Sequence, residues 1–265
     1  MSTRLGLAAL TSSLALAAAC TGAEPAPPQR LDLRAATGIP ILTPSGVAVD
    51  ATGARFFFDD GYGLFRLDAD GAATMVMARA AMPDPGVVVR PPFTDMVALG
   101  GGRFALTAIG DGYLLDTVLG TMRRYFCYVP DGLPEPYDQR TDAVTYDPIA
   151  KLIYAQPRTF DEAGGLIDSQ VATYSFETGA DLMWSSVPQD IAAGGMIKLP
   201  GVDELLLGNG SELLRFANGG VTVVDDLARL GVGAIDGLAL DGDRLLVLDG
   251  PGGALHTLDL ASIVD

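Results

Sequence analysis

Residues 45–60 read SGVAVDATGARFFFDD, and residues 236–250 read DGLALDGDRLLVLDG. Each is a short apolar run, a turn at Asp or Gly, and a second run rich in Phe, Leu and Val. Two such runs flanking a tight turn read as a pair of antiparallel strands. Three other stretches repeat the pattern more loosely: DMVALGGGRFALTAIG (95–110), DAVTYDPIAKLIYAQ (142–156) and GMIKLPGVDELLLGNG (195–210). The starts at 45, 95, 142, 195 and 236 lie 50, 47, 53 and 41 residues apart. A period of that size marks a repeat architecture, in which each unit buries its apolar surface against its neighbours.

Additional strands fall inside the units: GLFRLD (63–68) and ATMVMA (73–78) in the first, ELLRFA (212–217) and VTVVDDL (221–227) in the fourth. The turns DADG (68–71) and ANGG (217–220) connect them as hairpins. Four antiparallel strands per unit predict an all-β fold, a single β-propeller of four-stranded blades. Five blades are expected, or six if a degenerate unit is hidden. The fifth unit, ending in GALHTLDL (253–260), is one strand short, and RLDLRAA (30–36) can supply it. The ring is then closed by strands from both ends of the domain, which removes an exposed edge. Helix contributes little beyond a single turn expected in DLARLG (226–231).

The phrases TPSGVAVDATGARFFFDD and AIDGLALDGDRLLVLDG resemble the repeats of the NHL and regucalcin/gluconolactonase class of β-propellers. The resemblance spans nearly all of residues 31–265 and implies the fold far more than an activity. Aligned on the inner strand, the units place Ser45, Asp95, Asp142, Gly195 and Asp236 in one column. Inner strands line a propeller's channel, so carboxylates in such a column converge, repel, and favour a hard cation. In the enzyme family, acidic and amide side chains of this column hold a divalent metal. The resemblance therefore implies Asp95, Asp142 and Asp236 as ligands of Ca2+ or another divalent ion. Ser45 and Gly195 depart from that pattern. The plainer reading is that each Asp caps the turn entering its strand. Both readings stay open on the sequence.

The N-terminus, MSTRLGLAALTSSLALAAAC, has one basic residue, Arg4, and an uncharged apolar stretch from Leu5 to Ala19. That stretch is short for a membrane-spanning helix and suits a secretory signal. Its small residues leading to a cysteine resemble the lipobox of bacterial lipoproteins. The resemblance implies cleavage after residue 19 and lipidation of Cys20; an ordinary signal peptide with a free Cys20 is the alternative. The organisation expected is a signal peptide over 1–19, a lipidated, Pro-rich tether over 20–30, and the propeller over 31–265. Thr21 rather than Asp follows the cysteine, which in the resembled class favours the outer membrane of the cell envelope. Cys127, the only other cysteine, sits between aromatics in RYFCY (124–128) and is expected to be a buried, inert thiol.

Composition narrows the partners. With 17 Lys+Arg against 33 Asp+Glu the formal charge is −16, which argues against nucleic acid. Hydrophobic residues make up 49%, too many for a disordered chain. His256 is the only histidine, so a His-rich zinc site is excluded, and the expectation is a strand histidine with a satisfied hydrogen bond. No GxSxG or Walker A phrase occurs. DDGYG (59–63) and LDADG (67–71) read as turns rather than calcium loops. The long connections at 78–92, 130–140 and 157–170 fall on the face that carries the aspartate column, with Met82, Tyr137 and Phe160 as apolar anchors. The function expected is a lipid-anchored envelope module that binds a small ligand or a protein on that loop-rich face. The alternative is a metal-dependent hydrolase of the lactonase kind, and a purely structural envelope component is a third reading.

Overall fold

The computed structural model describes residues 27–40, 42–85, 92–108, 111–127 and 138–264. Among these residues twenty strands form five four-stranded antiparallel sheets, and their order makes a five-bladed ring. Blade 1 holds β2 (Pro44–Val49), β3 (Arg55–Asp59), β4 (Gly63–Leu67) and β5 (Ala73–Ala78). Blade 2 holds β6 (Phe93–Gly100), β7 (Arg103–Ala108), β8 (Asp111–Asp116) and β9 (Thr121–Cys127). Blade 3 holds β10 (Asp138–Asp147), β11 (Leu152–Phe160), β12 (Leu166–Ser175) and β13 (Asp181–Ser186). Blade 4 holds β14 (Gly195–Lys198), β15 (Glu204–Asn209), β16 (Glu212–Ala217) and β17 (Gly220–Asp226). Blade 5 runs from β18 (Ile235–Asp241) through β19 (Arg244–Asp249) and β20 (Ala254–Asp259) to β1 (Gln29–Asp32), the N-terminal strand.

Closure therefore comes from the chain's N-terminal strand, as the short fifth unit requires. Gln29 pairs with Thr257 and Asp32 with Ala254. The strand is shorter than the expected 30–36 and starts one residue earlier, because Asp32 ends it. The Asp32 carboxylate accepts from Arg34 N and Ala35 N at 2.9 and 3.1 Å, capping helix α1 (Leu33–Thr37). Every strand of the ring lies between Gln29 and Asp259. The expected turn of helix after blade 4 is a 3-10 turn, Leu227–Leu230, capped by Asp226.

Burial grades from the axis outward. The second strands read as near-continuous apolar runs, such as Leu245–Leu248 of β19, because a neighbouring blade covers each face. Outer strands such as β5 and β17 are largely exposed. The core divides into five apolar clusters, one in each gap between adjacent blades. Aromatic pairs tie two gaps: Phe58 with Phe93 at 5.3 Å, and Phe126 stacked on Tyr174 at 4.5 Å.

Two regions depart from the expected loops. The stretch 157–170 is mostly strand, since β11 and β12 extend into a tall hairpin whose turn is held by Asp161 accepting from Ala163 N and Gly165 N. Met82 packs against the gap between blades 1 and 2 instead of standing free. Tyr137, most of 130–140, and 86–91 lie outside the described residues, as do residues 1–26 with the expected signal peptide and Cys20, and the side chain of Cys127. No helix among the described residues is long and apolar enough to cross a membrane.

Candidate functional site

The five inner strands β2, β6, β10, β14 and β18 run side by side around the axis. Each pairs on one side only, so its other edge faces the channel. At the upper face, where these strands begin, neighbouring inner strands approach closely at glycines. A Cβ added to Gly46 would stand 2.7 Å from Met96 N, one on Gly237 2.9 Å from Val47 N, and one on Gly195 2.6 Å from Leu238 N. Backbones this close admit only glycine at those positions.

At the same end, inner strands carry β-bulges: the register shifts between Pro44 and Gly46, Phe93 and Asp95, Thr141 and Val144, and Ile235 and Gly237. A bulge turns its extra residue out of the strand's alternation, which is how Ser45, Asp142 and Asp236 come to the channel's upper end. In blade 2 the extra residue is Thr94, not Asp95. Thr94 Oγ1 donates to the carbonyl of Thr141, and Asp95 turns into the protein.

The three aspartates share this end but face different partners. Buried Asp95 accepts from Met96 N at 2.7 Å and from Val144 N at 2.9 Å. Burial holds its pKa well above the usual carboxylate value against those two bonds, and the Asp236 charge adds to the rise. Asp142 pairs with Arg158 Nη1 at 2.8 Å; burial raises its pKa while the guanidinium pulls it down. Asp236 lies beside Gly250 and is pushed to about 6, chiefly by burial and then by the Asp249 charge, against a backbone bond from Gly250. Among the described residues no group of three His, Cys, Asp or Glu side chains is arranged to hold a metal. The donor set does not fit Ca2+ or another divalent ion, because Asp95 is spent on backbone N–H groups and Asp142 on an arginine. No step of metal-assisted hydrolysis follows from it.

His256 is buried on β20, and its Nε2 has no partner among the described residues, contrary to the satisfied histidine expected. Burial lowers its pKa, the Asp249 charge opposes, and Arg30 adds to the lowering. Phe160 does not stand free as an anchor: the guanidinium of Arg140 sits 5.1 Å and that of Arg158 5.0 Å from its ring centre.

The other end of the channel is the lower face. There a cavity of about 370 Å³ is bordered by all five inner strands and their hairpins, through Val47–Ala51, Val97–Gly100, Thr145–Ile149, Ile197–Gly201 and Leu238–Leu240. The lining is mostly Val, Ala, Leu and Ile, with the free edges of the inner strands between them. Lys198 is the single cation in it, on β14, where the other inner strands have Ala48, Ala98, Thr145 and Ala239. Its ammonium donates to the Val202 carbonyl and stands 3.8 Å from Asp203, a carboxylate that is 97% exposed. Two lining aspartates are turned into their own hairpins: Asp50 accepts from Thr52 N, Thr52 Oγ1 and Ala54 N, and Asp147 from Ile149 N and Ala150 N. A cavity of this size with apolar walls and few polar groups has the dimensions of a small-ligand pocket. Column alignment from the inner-strand start leads to the upper end and misses it; the lone lysine three residues further down the column is the signal that marks the lower one.

No family model and no curated protein matches the chain. Among solved structures, a chain of a nidogen/laminin complex aligns with a TM-score of 0.54 at 13% identity, covering 86% of this chain and 80% of its own. A luciferin-regenerating enzyme aligns with a TM-score of 0.55 at 13% identity, covering 89% of this chain and 77% of its own. At that identity the likeness is one of fold alone. The resemblance to the NHL and regucalcin/gluconolactonase repeats rests on the sequence phrases.

Proposed function

We propose that this propeller is a lipid-anchored binding module of the bacterial cell envelope. Its ligand is a small amphiphile, with an apolar body and one anionic group, held in the channel cavity on the lower face. The cavity carries this reading: five inner strands converge on one apolar chamber whose sole cation, Lys198, stands at its margin. The apolar body would fill the chamber, and the anionic group would take over the ammonium from the exposed Asp203. The anchor is read from the cysteine that closes the apolar N-terminal stretch, and the outer membrane from Thr21 after it. Binding is assigned to the lower face rather than the loop-rich upper one because the cavity lies at the lower ends of the inner strands.

The test uses a chain beginning at Thr21, which keeps every strand of the ring. Anilinonaphthalene sulfonate, an apolar dye with one anionic group, is titrated in, and decanoate is used to displace it. One saturable site is expected, at least tenfold weaker in Lys198→Met and blocked in Ala98→Leu, which fills the chamber. Dye binding that ignores both changes would overturn the reading. Separately, a Cys20→Ser chain expressed with its signal is expected to leave the membrane fraction; full retention there would remove the anchor.

A further inference from the structure

Three features of the lower face coincide. First, the N-terminal chain reaches the ring there. β1 is antiparallel to β20, and Asp32 and Leu33 meet the upper connection, with Leu33 N donating to Gly253 O at 2.9 Å. Gln29, opposite Thr257, therefore lies toward the lower end of the blade. Second, the cavity opens on this face. Third, the three most exposed large hydrophobic side chains among the described residues all stand on its hairpin tips: Ile149 at 91%, Val118 at 76% and Leu119 at 73%. These tips are held outward. Asp116 accepts from Val118 N and Leu119 N, and Asp147 from Ile149 N and Ala150 N, so each carboxylate fixes a turn that presents an apolar residue to solvent.

We infer that the lower face docks on a bilayer of zwitterionic lipid, with Val118, Leu119 and Ile149 entering the headgroup region and the cavity mouth turned toward the membrane. Eight residues separate Cys20 from Gln29. At ~3.5 Å per residue they span at most about 28 Å. A six-residue strand is itself about 20 Å tall, so passing the blade would use most of that reach, and the lower face is the one an anchor at Cys20 holds nearer the bilayer. Apolar tips supply the second membrane signal that makes anchoring stable. The charge of the face excludes an anionic surface: Asp50, Asp68, Asp147, Asp203 and Asp243 lie on its hairpins and repel anionic headgroups. The inference rests on the cavity reading only for its corollary, that the ligand comes from the bilayer.

The test again uses the chain beginning at Thr21, so that no lipid anchor contributes. Flotation with phosphatidylcholine vesicles is expected to recover the protein, at least tenfold less of it after Val118→Ser/Leu119→Ser/Ile149→Ser. Adding phosphatidylglycerol is expected to weaken recovery at low salt. Orientation is read from single variants at exposed sites that leave folding intact. With the parent Trp184 signal subtracted, brominated phosphatidylcholine should quench Ile149→Trp and not Tyr62→Trp on the upper face. Absence of flotation, recovery that ignores the triple change, or equal quenching at both positions would overturn the docking. Vesicle failure with dye binding intact would leave the cavity reading standing, and loss of dye binding with flotation intact would do the reverse.

Discussion

Asp95 Oδ2 accepts the backbone N–H of Val144 at 2.9 Å, so a carboxylate at the start of β6 fastens the inner strand of blade 2 to that of blade 3. Its other oxygen takes the N–H of Met96 at 2.7 Å. Asp95→Ala leaves both buried donors without acceptors, at about 1–3 kcal/mol each. We expect it to lower stability by about 2–4 kcal/mol in urea unfolding. A loss below about 0.5 kcal/mol would mean that the bridge does not hold the ring.

Gln156 does the same work between blades 3 and 4. Buried at the end of β11's inner half, it donates to Ser169 Oγ and to the Ile191 carbonyl, and accepts from Ala193 N at 2.8 Å. Gln156→Leu keeps the volume and removes every bond. The expected cost is about 2–4 kcal/mol in the same assay. Gln156→Glu should retain the bond to Ala193 N, lose the one to the Ile191 carbonyl, and keep Ser169 only with the hydroxyl as donor.

Asp236 makes stability depend on pH. Its folded pKa is raised to about 6 from the ordinary carboxylate value of 3.8, so the folded protein holds a proton that the unfolded chain releases. This favourable contribution is complete below about pH 4 and is lost as pH rises toward about 6. A rise of that size corresponds to about 2–3 kcal/mol, an upper figure for a partly solvated group. Asp236→Asn is expected to equal the parent at pH 4 and exceed its urea midpoint at pH 7.5. A variant that unfolds earlier at pH 7.5 would show that the charged form is held by contacts stronger than its burial cost.

His256 acts in the opposite sense. Burial lowers its folded pKa, so the unfolded chain binds the proton first, and stability falls as pH drops below about 6.5. Its Nε2 has no partner to lose. We expect His256→Leu to change little at pH 8 and to gain on the parent as pH falls to 5, followed by thermal melts at each pH. An equal offset at both pH values would contradict the assignment.

The blade repeat is legible in the sequence because each unit states its own strands: FFFDD after an Asp-Ala-Thr-Gly turn, LLVLDG after Asp-Gly-Asp. Even the closing strand is predictable from the missing partner of β20, although Asp32 ends it earlier by capping α1. The upper end of the channel is half legible. Aligning the units finds the right end for Asp142 and Asp236, but one inserted residue at Thr94 rotates Asp95 away, and a register shift leaves no trace in a spacing count. The lower cavity is illegible to a search for carboxylates. It is built from valines, alanines and leucines that read as ordinary core, with Lys198 as its one distinguishing residue. Arg158 is hidden likewise, since its tie to Asp142 needs the tall hairpin that the sequence presents as a loop.

The central claim, that the lower cavity is the ligand site, is tested most directly by amide chemical-shift mapping of the chain from Thr21 titrated with decanoate. The account predicts saturable shifts grouped at Val47–Ala51, Val97–Gly100, Thr145–Ile149, Ile197–Gly201 and Leu238–Leu240, lost in Lys198→Met. Shifts confined to the upper connections around Tyr62, Phe160 and Gly250, or none in any inner strand at millimolar decanoate, would contradict it.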